Sequence, residues 1–235
     1  MSLALAATAR RTAPADFLGP LTEFEAKNAP ETIFACGELD LLKRGPKVSI
    51  VGSRDASEDG LRRARSLAGE LVRREVIVVS GLAAGIDAAA HRGAIDAGGK
   101  TIAVLGTALD RAYPASNAEL QETIMREHLA ISQFAPGTAV RRFNFPIRNR
   151  LMALISDATV IVEAGETSGT LHQGWEAIRL GRPLFLMESV VSNSQLAWPR
   201  KMMEYGAQIL SRSNLDLVVE NLPSFTHDNA PAFRD

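Results

Sequence analysis

Cysteine is nearly missing from this chain, with Cys36 the only one. One thiol closes no internal disulfide and supplies no multi-thiolate cluster, which excludes a disulfide framework and a typical structural zinc site. Such usage suits the reducing cytoplasm. A surplus of one charge is lacking too: 26 Lys and Arg stand against 27 Asp and Glu, a net charge of -1. A generally basic protein is thereby excluded, and a polyanionic partner needs a local patch. No apolar run approaches the roughly 18 residues of a membrane span. The stretch 3–7 is too short for a secretion signal and lacks a preceding basic segment. Two nucleotide fingerprints are absent as well: no GxGxxG opens a helix and no GxxxxGK[ST] occurs, so neither a dinucleotide dehydrogenase nor a P-loop NTPase is indicated.

What is present suits a globular protein, with 46% hydrophobic and 23% charged residues among 235. The patterning predicts a loosely ordered arm over residues 1–20, one domain over 21–222 and a frayed tail over 223–235. Within the domain, 21–44 forms a polar, helix-like entry segment leading into Ile33, Phe34 and Ala35. Short β-branched runs then alternate with amphipathic segments. Strands are expected at 47–51, 76–79, 101–105, 129–134, 158–162, 184–187 and 208–210, with helices between them, one starting near Arg148. The alternation indicates an α/β protein, a doubly wound, mostly parallel sheet with helices on both faces.

Right-handed crossovers bring the turns after the strands to one carboxyl edge. Three of those turns share a chemistry. They are Gly52-Ser53-Arg54, the stretch from Ser80 and Gly81 to Gly85, and Thr167-Ser168-Gly169-Thr170. Glycine lets a bound group approach the backbone, while hydroxyls and the free N–H groups at a helix start donate to phosphate oxygens. A second constellation is RRFNFPIRNR (141–150): four arginines and no acid, interleaved with Phe143 and Phe145. Arginine pairs with phosphate and aromatic faces stack on unpaired bases, the chemistry of single-stranded nucleic-acid binding. The other account of this stretch is a pair of core phenylalanines with a solvated arginine rim.

Asp87 and His91, four apart, share a helix face without a third metal ligand, so a structural role for His91 and no metal site are expected. Glu163 and Glu166 fit a base or a ribose contact, and at least equally a helix cap or a solvated role.

Five segments in order resemble the DprA/Smf family of DNA-processing proteins: VSIVGSR (48–54), SGLAAGIDAAAHRGAI (80–95), KTIAVLGTALDRAYPASN (100–117), FNFPIRNR (143–150) and VEAGETSGT (162–170). The resemblance implies a Rossmann-like domain that binds single-stranded DNA, dimerises and helps load a RecA-type recombinase in natural transformation, in the cytoplasm, without catalysis or cofactor. It places Gly52, Ser53, Arg54, Ser80, Gly81, Ser168 and Gly169 on phosphates. Arg148 and Arg150, with Asn149 between them, would extend the basic path, and Phe145 would contact a base. This chain departs from the pattern at Ala84 and Ile147, where a basic residue is expected, at Gln133 in place of glutamate, and at Met187-Glu188 in place of Pro-Gly. The flanking helical and winged-helix domains of longer members find no room in this length.

The competing reading is an enzyme, a nucleotide phosphoribohydrolase of the lysine-decarboxylase-like (LOG) type. Its PGGxGTxxE pattern puts a carboxylate three residues after the threonine, where this chain has Gln173. A small-nucleotide sensor is the third.

Overall fold

Short β-branched runs separated by amphipathic segments build a nine-stranded sheet flanked by helices, in a computed structural model that describes residue 6 and residues 8–223. The first half contains β1 (Arg10–Thr12), α1 (Ala15–Leu18), α2 (Glu23–Asn28), β2 (Ile33–Gly37), β3 (Lys47–Gly52), α3 (Glu58–Val72), β4 (Ile77–Ser80), α4 (Ile86–Asp96) and β5 (Thr101–Leu105). The second half contains α5 (Ala118–Glu127), β6 (Leu129–Ser132), α6 (Asn144–Leu154), β7 (Ala158–Glu163), α7 (Thr170–Arg179), β8 (Leu184–Met187), α8 (Glu188–Val191), α9 (Trp198–Glu204), β9 (Gln208–Leu210) and α10 (Leu215–Glu220).

The strand order is β1-β2-β6-β5-β4-β3-β7-β8-β9. From β6 to β9 every pairing is parallel, as the alternating pattern predicts. The chain winds from β3 through β4 and β5 to β6, then returns to the other side of β3 to lay down β7, β8 and β9. Between β3 and β7 lies the topological switch point, where open parallel sheets hold their ligands. One face packs α3, α4 and α10 on Val48, Ile50, Val78 and Val160. The opposite face packs α6, α9 and α1 on Val51, Val79, Val104 and Ile161.

Two expectations are corrected. The segment 1–20 is not all arm: β1 pairs antiparallel with β2, and α1 buries Phe17 and Leu18 in the core. A three-residue strand is too short to show a period. Next to it, the entry segment supplies β2, which pairs antiparallel with β6. In addition, α6 starts at Asn144 rather than near Arg148. Pro146 reads as a helix breaker, but it stands in the first turn, where a missing N–H removes no helical bond. Of the expected tail, residues 224–235 lie outside the described residues.

As expected, His91 is structural. It is fully buried on α4, with Nδ1 2.7 Å from Thr101 Oγ1. Because the Thr101 hydroxyl donates to Val78 O at 2.8 Å, Nδ1 is the donor in the first bond. Burial pushes its pKa from 6.5 down to about 3. The unfolded chain therefore takes up a proton below 6.5 that the native state refuses, so stability falls as pH drops through that window. Between pH 6.5 and pH 5 the loss is about 1.6 kcal/mol. A urea midpoint that drops over this interval in wild type, and less in His91→Gln, is the expected result. An equally steep drop in His91→Gln would show that another group carries the effect.

Candidate nucleic-acid interface

Each polar turn follows a strand, and because β4, β3 and β7 are neighbours the turns meet at one edge. They are laced together there. Ser53 N–H donates to Glu163 O at 2.7 Å, and Ile86 N–H, at the start of α4, donates to Ser53 O at 3.1 Å. Thr170 Oγ1, opening α7, donates to Gly52 O at 2.8 Å. Gly52 has no room for a side chain: a Cβ would press into Ile86 and lie 2.8 Å from Glu163 O. The backbone of turn one is thus held between the other two.

Glu163 works as a cap. Its carboxylate accepts from Ser57 N–H at 2.7 Å, from Ser57 Oγ at 2.6 Å and from Arg63 Nη2 at 3.1 Å. Ser57 Oγ in turn accepts from Gly60 N–H at 3.0 Å, so β7 fastens the first turn of α3. Glu166 accepts from the backbone N–H of Ala197, which precedes α9.

Beside the laced turns opens a cavity of about 710 Å³. Of the expected site residues, Gly52, Ser53, Arg54, Phe145, Arg148, Asn149, Ser168, Gly169 and Thr170 line it. Ser80, Gly81, Gly85, Arg150 and Thr167 do not. Ser80 is buried, with Oγ donating to Ile50 O at 2.6 Å. Gly81 lies beneath the cavity wall, and its N–H donates to Asp87 Oδ2 at 3.2 Å. Gly85 begins α4, while Thr167 is exposed on its turn. Arg150 faces outward, 3.5 Å from Glu176.

At the mouth, the exposed Arg54 stands over Phe145, 5.2 Å from the ring centroid, and Tyr113 packs against the same ring at 5.4 Å. Gly106 makes this possible, since a Cβ there would lie 2.6 Å from the Phe145 ring. Arg142 adds a second exposed cation to the lining. An exposed guanidinium beside two aromatic faces, next to a groove of hydroxyls and backbone, suits a phosphate and an unpaired base together. Sequence reasoning misses Tyr113, Asp87 and His172 in the lining. The YP pair marks a turn but gives no sign that it folds back onto Phe145.

Asp87 and Arg148 form the buried charges of the wall. Burial pushes the Asp87 carboxyl above its ordinary range, against the pull of Arg148. Burial also lowers Arg148, against the pull of Asp87. Arg148 Nη1 donates to Gly81 O at 2.5 Å and to Val104 O at 2.8 Å, and Nε to Asn149 Oδ1 at 2.9 Å. Gln173, in the position where a phosphoribohydrolase carries its carboxylate, is buried with Nε2 3.4 Å from Thr159 Oγ1. Among the described residues no cluster of three or more ligating side chains suits a metal ion.

The family model of DNA recombination-mediator protein A matches residues 15–223. DNA processing protein DprA of Streptococcus pneumoniae is 39% identical over 196 residues, 83% of this chain and 68% of that protein. Its crystal structure superposes with a TM-score of 0.80 at 33% identity, covering 94% of this chain and 77% of that one. A structure of DNA processing protein A from Helicobacter pylori, described for its single-stranded DNA binding mode, gives a TM-score of 0.76 at 25% identity, covering 92% of this chain and 99% of that one. Across the curated relatives it matches, this chain spans between 48% and 68% of their length.

Proposed function

This chain belongs to the DNA recombination-mediator protein A family, whose members include the DprA and Smf proteins, and we propose that it binds single-stranded DNA along the carboxyl edge of its sheet. The observation that carries the proposal is the mouth of the cavity, where Arg54 and Tyr113 flank the Phe145 ring. Phosphates follow Gly52, Ser53, Arg54 and the Ser168–Thr170 turn, and a base stacks at Phe145. In the Helicobacter relative, too, single-stranded DNA is the ligand described. Anisotropy titration with labelled oligo-dT tests this. Micromolar or tighter binding that weakens steeply with salt is expected, because each neutralised phosphate releases counterion. No binding at low salt would refute it.

The site does no catalysis in this proposal. Glu163 and Glu166 are occupied as caps, and Gln173 replaces the hydrolase carboxylate. Release of free adenine from AMP above background would overturn that part. Thermal stabilisation by a mononucleotide and none by oligo-dT would favour the sensor instead.

Delivery of the strand to a RecA-type recombinase is part of the same proposal, supported by the match to a recombination-mediator family. It predicts faster recombinase loading onto strands coated with single-strand binding protein, and no acceleration would refute it. Pairing of two copies is a further part of the proposal, supported by the exposed apolar side chains of Met203, Tyr205 and Ile209. A monomer only, by sedimentation velocity at micromolar concentration, would exclude this. The compartment is the cytoplasm, where the DNA is, and fractionation checks it. Among the described residues no helix is long and apolar enough to cross a membrane.

A further inference from the structure

On the premise that this edge binds single-stranded DNA, we propose that Arg148 is a positioning residue that clamps the ends of β4 and β5 to α6 and neutralises no phosphate. Four observations converge on this. First, its side chain is buried, although it borders the cavity. Second, Nε and Nη1 donate to three protein oxygens, two of them the carbonyls of Gly81 and Val104 at the ends of neighbouring strands. Forked, planar donation of this kind is what arginine does and lysine does not. Third, the guanidinium is packed against Gly81, where a Cβ would overlap Nη1 and Cζ and reach 2.6 Å from Nη2.

Fourth, its charge has a buried counterpart in Asp87, whose Oδ2 accepts from Gly81 and Ala83 N–H at 3.2 and 3.3 Å. Of the charged side chains that line the cavity, Arg54, Arg142 and Asp55 are the exposed ones, so a phosphate at the mouth meets those rather than a guanidinium already bonded to protein oxygens. The clamp acts one turn along α6. Phe145 sits three residues before Arg148 on the same helix, so fixing Arg148 against the two strand ends fixes where that ring stands relative to Arg54.

The test is binding of labelled oligo-dT by wild type and Arg148→Lys over a salt series, with a 2-aminopurine base in the oligonucleotide to report stacking. Lysine keeps the charge and loses the fork. Arg148→Lys is expected to bind about tenfold more weakly, with the slope of log affinity against log salt unchanged. At saturating protein it should also show weaker 2-aminopurine quenching, a reading that lower overall stability would not move. A second variant, Arg148→Gln with Asp87→Asn, leaves the net charge unchanged and is expected to keep the slope as well. If that slope instead falls by about 0.7, the value of one phosphate contact on a single strand, Arg148 touches DNA and the inference is wrong. Full affinity and quenching in Arg148→Lys would overturn it equally. Should either variant not fold, Asn149→Ala frees Nε without touching the charge, and the same loss of quenching at constant slope decides. Failure of wild type to bind refutes the DNA reading itself, whereas binding by wild type with full affinity in Arg148→Lys refutes only the clamp.

Discussion

Arg54→Ala is expected to bind oligo-dT about tenfold or more weakly, and its salt dependence to flatten by about 0.7 in log–log slope. Both effects follow from its position. Arg54 is exposed at the cavity mouth, and its guanidinium stands 5.2 Å over the Phe145 ring, so its charge is available to a strand lying on that ring. Removing it deletes one phosphate contact and a cation–π contact of about 0.5–1 kcal/mol. The fold should lose no more than that one contact, because the side chain is otherwise exposed. Anisotropy at several salt concentrations reads the slope directly. A slope equal to that of wild type would mean that the strand does not pass Arg54.

Gly85→Ala is expected to cost about 3 kcal/mol of stability and to weaken DNA binding with it. Gly85 has φ +73°, a conformation that side chains with a Cβ rarely adopt. A Cβ there would also collide with Ser53 O and lie 2.6 Å from Arg54 O. The added methyl must push turn one away from α4, breaking the bond from Ile86 N–H to Ser53 O and displacing Arg54. Urea unfolding and the oligo-dT titration on the same preparation measure the two consequences. An unchanged midpoint would show that turn one yields freely and that its lacing is not rigid.

The parallel core was legible because its strands are apolar on both faces: Val76 to Val79 and Thr101 to Leu105 lie buried between two helical layers. The three turns were legible for the same reason, since the strands that place them were. Residues whose partners are distant in sequence were not. Arg148 sits in a run of arginines and reads as solvent-facing, yet its acceptors are 67 and 44 residues away, on Gly81 and Val104. Only the helical phase shows that Arg148 turns in while Arg150 turns out, and Pro146 hides where that helix begins. Glu163 was left open between a chemical and a capping role, and its bonds to Ser57 decide for the cap.

The lacing of the three turns also sets when the site can come into being. Gly52 is joined to Thr170 across 118 residues, and Ser57 to Glu163 across 106. A nascent chain can pair β4, β5 and β6 as soon as they are made, but β3 gains its second neighbour only once β7 exists. Closing so long a loop is slow, and the half-made sheet leaves one side of β3 unpaired in the meantime. The binding edge is therefore among the last parts of the molecule to assemble, and a chain stalled before Thr170 carries most of the sheet but none of the completed groove.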